Sequence, residues 1–116
     1  MSKPTTAYKV LTNEQMMALE HDGTFAGAPV DLQDGYIHLS TAAQLTETVD
    51  KHFVGQENLH VAAVDLEALG DKIRWQESRG GQLFPHIYGP LTLDTVVAYS
   101  ALERLDDGTV RLPVTG

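Results

Sequence analysis

The sequence contains no cysteine, which excludes disulfide bonds and any zinc or iron–sulfur centre built on thiolate ligands. Basic residues are also scarce, with eight Lys and Arg against sixteen Asp and Glu and a formal net charge of −8. A nucleic-acid-binding face needs clustered Lys and Arg, so this balance argues against one. No run approaches the ~20 apolar residues of a membrane helix, and residues 1–6 lack the apolar stretch of a signal peptide. We therefore expect a cytoplasmic protein with neither a nucleic-acid nor a membrane partner.

What the chain does have is enough length and apolar content for one core. Its 116 residues fit a single domain, 1–116, with a core that we place at about 7–113. A chain of this size buries roughly two thirds of the surface of its unfolded state, so it needs no covalent staple. An apolar share of 42% excludes a disordered chain.

The pattern in the first half of the chain predicts a strand, a helix, a loop, a short strand and a second helix. Thr12 with Gln15, and Thr41 with Gln44, each have the spacing of a helix-capping box. The predicted elements are a strand at 7–11, a helix at about 13–20, a long loop at 21–35, a strand at 36–39, and a helix after Thr41 that ends near Gly55.

The second half reads as mostly extended chain. The apolar run 59–64 predicts a central strand, and Asp65 can cap the short turn that follows it. Further strands are predicted at 72–76, 84–88 and 95–103, and a hairpin at 109–112 after the turn 106–108. With five or six strands and two main helices, the fold class is α+β, in a small single domain.

His38 stands out because it lies where a strand leads directly into a capped helix. Ile37 and Leu39 should face the core, so His38 should face the other way. Ser40 and Thr41 follow, beside the N–H groups of the helix N-terminus, and could hold a carboxylate or phosphate. The structural alternative is that Thr41 only caps the helix and that His38 hydrogen-bonds a loop.

The segment from Arg79 to Pro90 is the second candidate. Arg79 offers a planar fork for a phosphate or carboxylate, and the two glycines after it allow the backbone to approach a ligand closely. His86 follows a proline, and Tyr88 carries a ring to stack and a hydroxyl to donate. The alternative is a rigid surface loop in which Phe84 and Tyr88 are anchors in the core.

Trp75 and Gln76 complete the candidate set, as a wall of a pocket and a polar neighbour. Trp75 fits a core position as well as a ligand site. The five histidines show no metal-ligating spacing, so we predict no metal site, although a pair of His38 and His86 with a carboxylate remains a third alternative.

Two strings of the sequence resemble the hallmark motifs of a bacterial family known as domain of unknown function 952. They are Asp34-Gly35-Tyr36-Ile37-His38-Leu39-Ser40-Thr41-Ala42-x-Gln44 and Trp75-x-x-Ser78-Arg79-Gly80-Gly81-x-x-Phe84-Pro85-His86-Ile87-Tyr88-Gly89-Pro90-Leu91. The resemblance extends over nearly the whole chain. It implies a fold like that of the ADP-ribosyltransferase superfamily, in which a split, mostly antiparallel sheet holds NAD in a cleft.

The same resemblance implies roles for individual residues. It implies that His38 and Ser40 position a ligand, that Tyr88 stacks on it and that Arg79 contacts its phosphate. Together with the local patterns, this makes His38, Arg79 and His86 candidate catalytic residues, and Ser40, Thr41, Trp75, Gln76 and Tyr88 candidate ligand-binding residues. The sequence departs from the family at Gln76, where the family usually has Glu. This exchange keeps a hydrogen-bonding group and removes a charge, which affects turnover more than ligand binding.

The sequence therefore leaves three alternative functions open. The first is a domain that binds a small anionic or nucleotide-type ligand of the NAD or ADP-ribose class, with or without transferase activity. The second is a non-enzymatic protein-interaction module, and the third is a metal-assisted hydrolase. For the oligomeric state we expect a monomer or a weak homodimer.

Overall fold

The computed structural model describes residues 4–113, except for the side chain of Arg79. The described helices are α1 (Asn13–Asp22), α2 (Pro29–Asp34), α3 (Ala42–His52) and the single turn α4 (Leu66–Leu69). The strands are β1 (Thr6–Thr12), β2 (Thr24–Phe25), β3 (Ile37–His38), β4 (Leu59–Asp65), β5 (Ile73–Glu77), β6 (Leu83–Ile87), β7 (Leu91–Thr92) and β8 (Val96–Ala101). Short 3-10 turns occupy Gly70–Lys72, Arg79–Gly81 and Leu93–Thr95.

The strands form three sheets, and every pairing among the described residues is antiparallel. The first sheet has the order β1-β4-β8, so the apolar strand β4 is central, as its sequence predicted. The second pairs β2 with β7, and the third has the order β3-β6-β5. The bridge between Tyr8 and Ser40 joins the first sheet to the end of β3. The α+β class is confirmed, with a strand arrangement of three small sheets.

Strands β1 and β4 of the first sheet are buried on both faces because their side chains alternate between two apolar clusters. Ala7 and Leu11 of β1 face the larger cluster, which also contains side chains of α1, β3, β4 and β6. Tyr8 and Val10 face a smaller cluster, which includes Leu45 and Val49 of α3 and the C-terminal Val110. Lys9 lies on β1 between these apolar neighbours and is nevertheless buried.

The two main helices begin where the capping residues predicted. Gln15 N–H donates to the Thr12 hydroxyl, while the Gln15 side chain accepts from Thr12 N–H, so α1 has a complete capping box. At α3, the Gln44 side chain accepts from Thr41 N–H, and Gln44 N–H donates to the Thr41 carbonyl. Asp65 caps α4 through the N–H groups of the next turn, which confirms the predicted short turn.

The predicted long loop at 21–35 is wrong. This segment contains strand β2 and the helix α2. Pro29 stands at the start of α2, where a missing N–H costs nothing, and the Asp31 carboxylate accepts from the N–H of Ala28. Gly35 then ends the helix with a φ of 89°, which is accessible to glycine without strain. The glycines and the proline that suggested a loop are in fact the boundaries of a short helix.

The turn predicted at 106–108 is present, and the chain after it returns to contact the chain before it. Leu105 N–H donates to the Thr109 carbonyl, and Arg104 and Val110 form an isolated bridge. Among residues 4–113, no helix is both long enough and apolar enough to cross a membrane.

Candidate functional site

The strand register gathers the polar residues of the third sheet on one face. His38 of β3 pairs with His86 of β6, and His86 pairs in turn with Arg74 of β5. Paired residues in adjacent strands project to the same side of a sheet. The neighbours in the sequence, Ile37 and Ile87, therefore project to the opposite side, where both are buried in the larger apolar cluster. This confirms the predicted facing of the His38 strand.

Four aromatic rings meet on this face, and we call them the ring cluster: Tyr36, His38, His86 and Tyr88. The Tyr36 ring stacks on His86, with 4.2 Å between the centroids and 20° between the planes. Its centroid lies 4.8 Å from that of His38 and 5.3 Å from that of Tyr88. The two histidine rings meet edge to face, with their centroids 5.2 Å apart. The two histidine-bearing motifs thus form one constellation.

A buried carboxylate holds His38 in place. His38 Nδ1 lies 2.6 Å from Asp31 Oδ1, which also accepts from the backbone N–H of His38. The other oxygen of Asp31 accepts from Lys9 Nζ at 2.8 Å and from Ala28 N–H at 2.8 Å. Asp31 is 1% exposed, so these contacts replace the water that it loses on folding.

The surroundings of Asp31 keep its carboxylate ionised. Burial by itself would raise the pKa of Asp31, but the hydrogen bond with His38 and the Lys9 ammonium together lower it well below its usual range. Burial lowers the pKa of Lys9, and the adjacent Asp31 carboxylate opposes this shift. Lys9 also donates to the carbonyl of His38, which ties β1 to β3. The chain Lys9–Asp31–His38 therefore connects the core to the ring cluster.

The absence of a side chain at Gly27 leaves the space that the Asp31 side chain occupies. A Cβ atom added at Gly27 would lie 2.9 Å from Asp31 Cβ, closer than two such atoms can approach. Gly27 also has a φ of 133°, which side-chain-bearing residues rarely adopt. The glycine before α2 is thus required by the position of the buried carboxylate, and sequence reasoning had assigned Asp31 no role.

The other side of His38 faces the surface. Its Nε2 lies 3.0 Å from Asp34 Oδ2, and the side chains of His38 and Asp34 are 31% and 39% exposed. Ionised carboxylates only accept hydrogen bonds, so a ring nitrogen of His38 that carries a proton donates to the carboxylate beside it. His38 therefore has one permanent, buried acceptor and one exposed acceptor that a solute could replace.

His86 has neutral partners instead. Its Nδ1 lies 2.7 Å from Gln76 Oε1, the same oxygen that accepts from the Tyr88 hydroxyl at 3.0 Å. The residue is 2% exposed, and burial, followed by the proximity of His38, lowers the pKa of His86 to about 4. Gln76 thus lies beside the ring cluster and contacts two of its four residues.

The remaining predicted residues have different surroundings. Ser40 is buried, and its hydroxyl is hydrogen-bonded to that of Thr48. Thr41 lies at the start of α3. Trp75 is half-buried on the opposite face of β5 from Gln76, against the larger apolar cluster. The backbone of Arg79 lies in the 3-10 turn after β5, while its side chain lies outside the described part of the molecule. The hydrogen bonds described for the Ser40 hydroxyl and for the Thr41 N–H join both residues to α3.

His38 and Tyr88 of the ring cluster are partly exposed at the surface, whereas His86 is buried. One shallow cleft is lined by Gly23, Thr92, Leu93 and Asp94, and another lies between the end of α3 and Leu102 and Arg104. Neither includes a residue of the ring cluster. No group of three or more His, Asp or Glu side chains within residues 4–113 is arranged to hold a metal ion.

The fold and the site together define a class: a small α+β domain in which two paired strands bring two histidines into one cluster, one of them held by a buried ion pair. Residues 10–99 match the family model "Protein of unknown function (DUF952)". Because this match covers most of the chain, the protein belongs to that family.

Solved structures of one relative share the whole architecture. The crystal structure of protein CC0527 from Caulobacter crescentus is 44% identical, covers 93% of this chain and 95% of its own, and has a TM-score of 0.85. The solution NMR structure of the same protein is 44% identical, with 92% and 91% covered and a TM-score of 0.78. No curated protein matches the chain.

Proposed function

We propose that the ring cluster binds a small anionic ligand of the nucleotide type, in the NAD or ADP-ribose class. The observation that carries the proposal is the orientation of His38, whose ring is fixed by the buried Asp31 while its Nε2 faces the surface. Fixing a donor before the ligand arrives reduces the entropy that binding must overcome. The protein would meet this ligand in the cytoplasm, as a monomer or weak homodimer.

Asp34 marks where the anionic group of the ligand would lie. Its carboxylate accepts from His38 Nε2 at the surface, and ion pairs this exposed contribute ~1 kcal/mol or less. A phosphate or carboxylate of the ligand offers the same acceptor chemistry with more oxygens. Exchange of Asp34 for the ligand on His38 Nε2 therefore needs only a side-chain rotation.

The tyrosines offer the stacking surface that a nucleobase or nicotinamide ring requires. Tyr88 is 39% exposed, and the Arg74 guanidinium lies over its ring at 5.2 Å from the centroid. Stacking of a base on an aromatic side chain contributes about 1–3 kcal/mol. Arg74 adds a positive charge beside the stacked ring, and Arg79 follows one turn after the same strand as a further phosphate partner.

Transferase activity of the ADP-ribosyltransferase kind would be an extension of the same site. His38, with a buried carboxylate behind it, has the arrangement of a histidine that exchanges protons with a ligand. In this view His38 contacts the ligand, Asp31 positions His38, and Gln76 contributes hydrogen bonds without charge.

NMR titration of the ¹⁵N-labelled protein tests the proposal. NAD, ADP-ribose and inorganic phosphate are added separately to the wild type, to His38→Ala and to the matched control His60→Ala, whose ring lies 3.1 Å from Asn13 Oδ1 and belongs to the first sheet. We expect shifts centred on the ring cluster, tenfold or greater weakening in His38→Ala, and unchanged binding in His60→Ala. Shifts that are absent at millimolar ligand, or that persist unchanged in a folded His38→Ala, would contradict the proposal.

A protein-interaction module is the second candidate, favoured by two apolar side chains on α2. Val30 and Leu32 are 54% and 63% exposed on the helix that also carries Asp31 and Asp34. Exposed apolar side chains at such a place are typical of a contact surface. Light scattering that shows a dimer in the wild type and a monomer in Val30→Ser/Leu32→Ser, together with no NMR response to the three ligands, would favour this function over ligand binding.

A further inference from the structure

One side-chain oxygen of Gln76 forms hydrogen-bonding contacts with two members of the ring cluster. Its amide oxygen lies 2.7 Å from His86 Nδ1 and 3.0 Å from the Tyr88 hydroxyl. The oxygen of an amide only accepts, so both neighbours must donate to it. For His86 this means that the proton is on Nδ1.

A neutral imidazole with a proton on Nδ1 has a lone pair on Nε2, which makes that nitrogen an acceptor. The ring is 2% exposed, and burial disfavours a second proton because the charged imidazolium would lose its hydration. The low pKa of His86 agrees with this neutral form at pH 7.

His38, at 5.2 Å between ring centroids, has the opposite arrangement, since carboxylate oxygens lie next to both of its nitrogens. We propose that Gln76 is a positioning residue that sets His86 as a hydrogen-bond acceptor beside the donor His38. Resting on the proposed function, this inference narrows the ligand to one with an anionic oxygen and a hydroxyl close together, as in a ribose phosphate. The anionic oxygen accepts from His38, and the hydroxyl donates to His86 Nε2.

The tautomer of His86 in the free protein tests the role of Gln76 without any ligand. Long-range ¹H–¹⁵N correlation spectra distinguish a proton on Nδ1 from one on Nε2. We expect the Nδ1-protonated form in the wild type. If the amide group of Gln76 pointed the other way, its NH₂ would donate to Nδ1 and the proton would be on Nε2, and that result would overturn the inference.

Two variants extend the test. Gln76→Glu adds an ionised acceptor next to His86, so its proton-binding constant should rise about tenfold or more. Gln76→Met has a similar length and no acceptor, so the fixed tautomer should become a mixture. Gln56→Glu, which adds the same charge at an exposed position outside the ring cluster, is the control. A His86 titration that changes equally in Gln76→Glu and Gln56→Glu would overturn the inference.

The ligand class is tested with ribose 5-phosphate against inorganic sulfate, which has anionic oxygens and no hydroxyl near neutral pH. Ribose 5-phosphate should shift the side-chain resonances of His38 and of His86 Nε2, whereas sulfate should shift those of His38 alone. A response of His38 without His86 to ribose 5-phosphate overturns the ligand class. No response of either histidine to either probe overturns the proposed function, while the tautomer and the variants still decide the role of Gln76.

Discussion

His38 and His86 are paired across β3 and β6, but their surroundings are opposite in character. His38 is half-buried and lies between two carboxylates, one buried and one exposed. His86 is buried, stacked under Tyr36 and bonded to an amide. The same side chain is thus adapted to donating at one position and to remaining neutral at the other. The chemistry of a histidine therefore depends on its partners and its burial more than on the strand that carries it.

The largest effect on this difference between the two histidines is expected from removing the charge of Asp31. Asp31→Asn leaves the Lys9 ammonium buried without its counter-ion and loses the orientation of His38. Loss of one member of a buried ion pair costs about 3–5 kcal/mol, so the free energy of unfolding in urea should fall by that amount. The double variant Lys9→Met/Asp31→Asn removes both charges and should recover much of the loss. A double variant that is less stable than Asp31→Asn would contradict this account.

The next largest effect is expected in the pH dependence of stability, and it arises from His86. Its pKa is about 4 in the folded protein against about 6.5 in an unfolded chain. The unfolded state therefore binds more protons in this window, so the stabilisation is complete above pH 6.5 and is lost as the pH falls toward 4. The expected loss is on the order of 3 kcal/mol.

Urea unfolding of the wild type and of His86→Gln between pH 7 and pH 4 measures this contribution. The variant has no ring to protonate, so its stability should fall less steeply over the same window. Equal slopes for the two proteins would show that His86 is not the group that titrates.

A smaller effect is expected at Gly27, where the absence of a side chain leaves space for Asp31, the buried partner of His38. Gly27→Ala places a methyl group 2.9 Å from Asp31 Cβ and strains a φ of 133°. We expect a loss of about 1–3 kcal/mol in the free energy of unfolding, together with shifted His38 side-chain resonances. Gly55→Ala is the control, because Gly55 also has a positive φ but no atom within 4 Å of the added Cβ. Unchanged His38 resonances in a destabilised Gly27→Ala would show that backbone strain, and not the contact with Asp31, causes the loss.

The exposed partner of His38 should matter least for stability. Asp34→Asn weakens a contact in which both side chains are about one-third exposed, so the loss in the free energy of unfolding should be below about 1 kcal/mol. On the proposed function the same variant should bind inorganic phosphate at least as well as the wild type, because a competing carboxylate is gone. Calorimetric titration measures this, and weaker phosphate binding by Asp34→Asn would show that Asp34 is part of the ligand site.

The sequence by itself determined the local elements. A continuous apolar run predicted β4, because a strand buried on both faces needs apolar side chains on both. The two-residue period of a strand predicted the facing of Ile37 and Leu39. Capping residues predicted where α1 and α3 begin, because a side chain close in sequence satisfies the first free N–H groups. The segment 21–35 was misjudged, because a six-residue helix that starts at Pro29 has too few residues to show a helical period.

Only the tertiary structure decided which residues form the site. Asp31 and Lys9 are 22 residues apart and carry no local signal, and they are buried only because folding brings opposite charges together. The register of β6 between β3 and β5 placed Gln76 and Tyr88 beside His86, and it placed Trp75 on the opposite face. Sequence spacing fixes which residues share a strand face, but long-range pairing decides which faces meet, and the chemistry of the two histidines depends on that pairing.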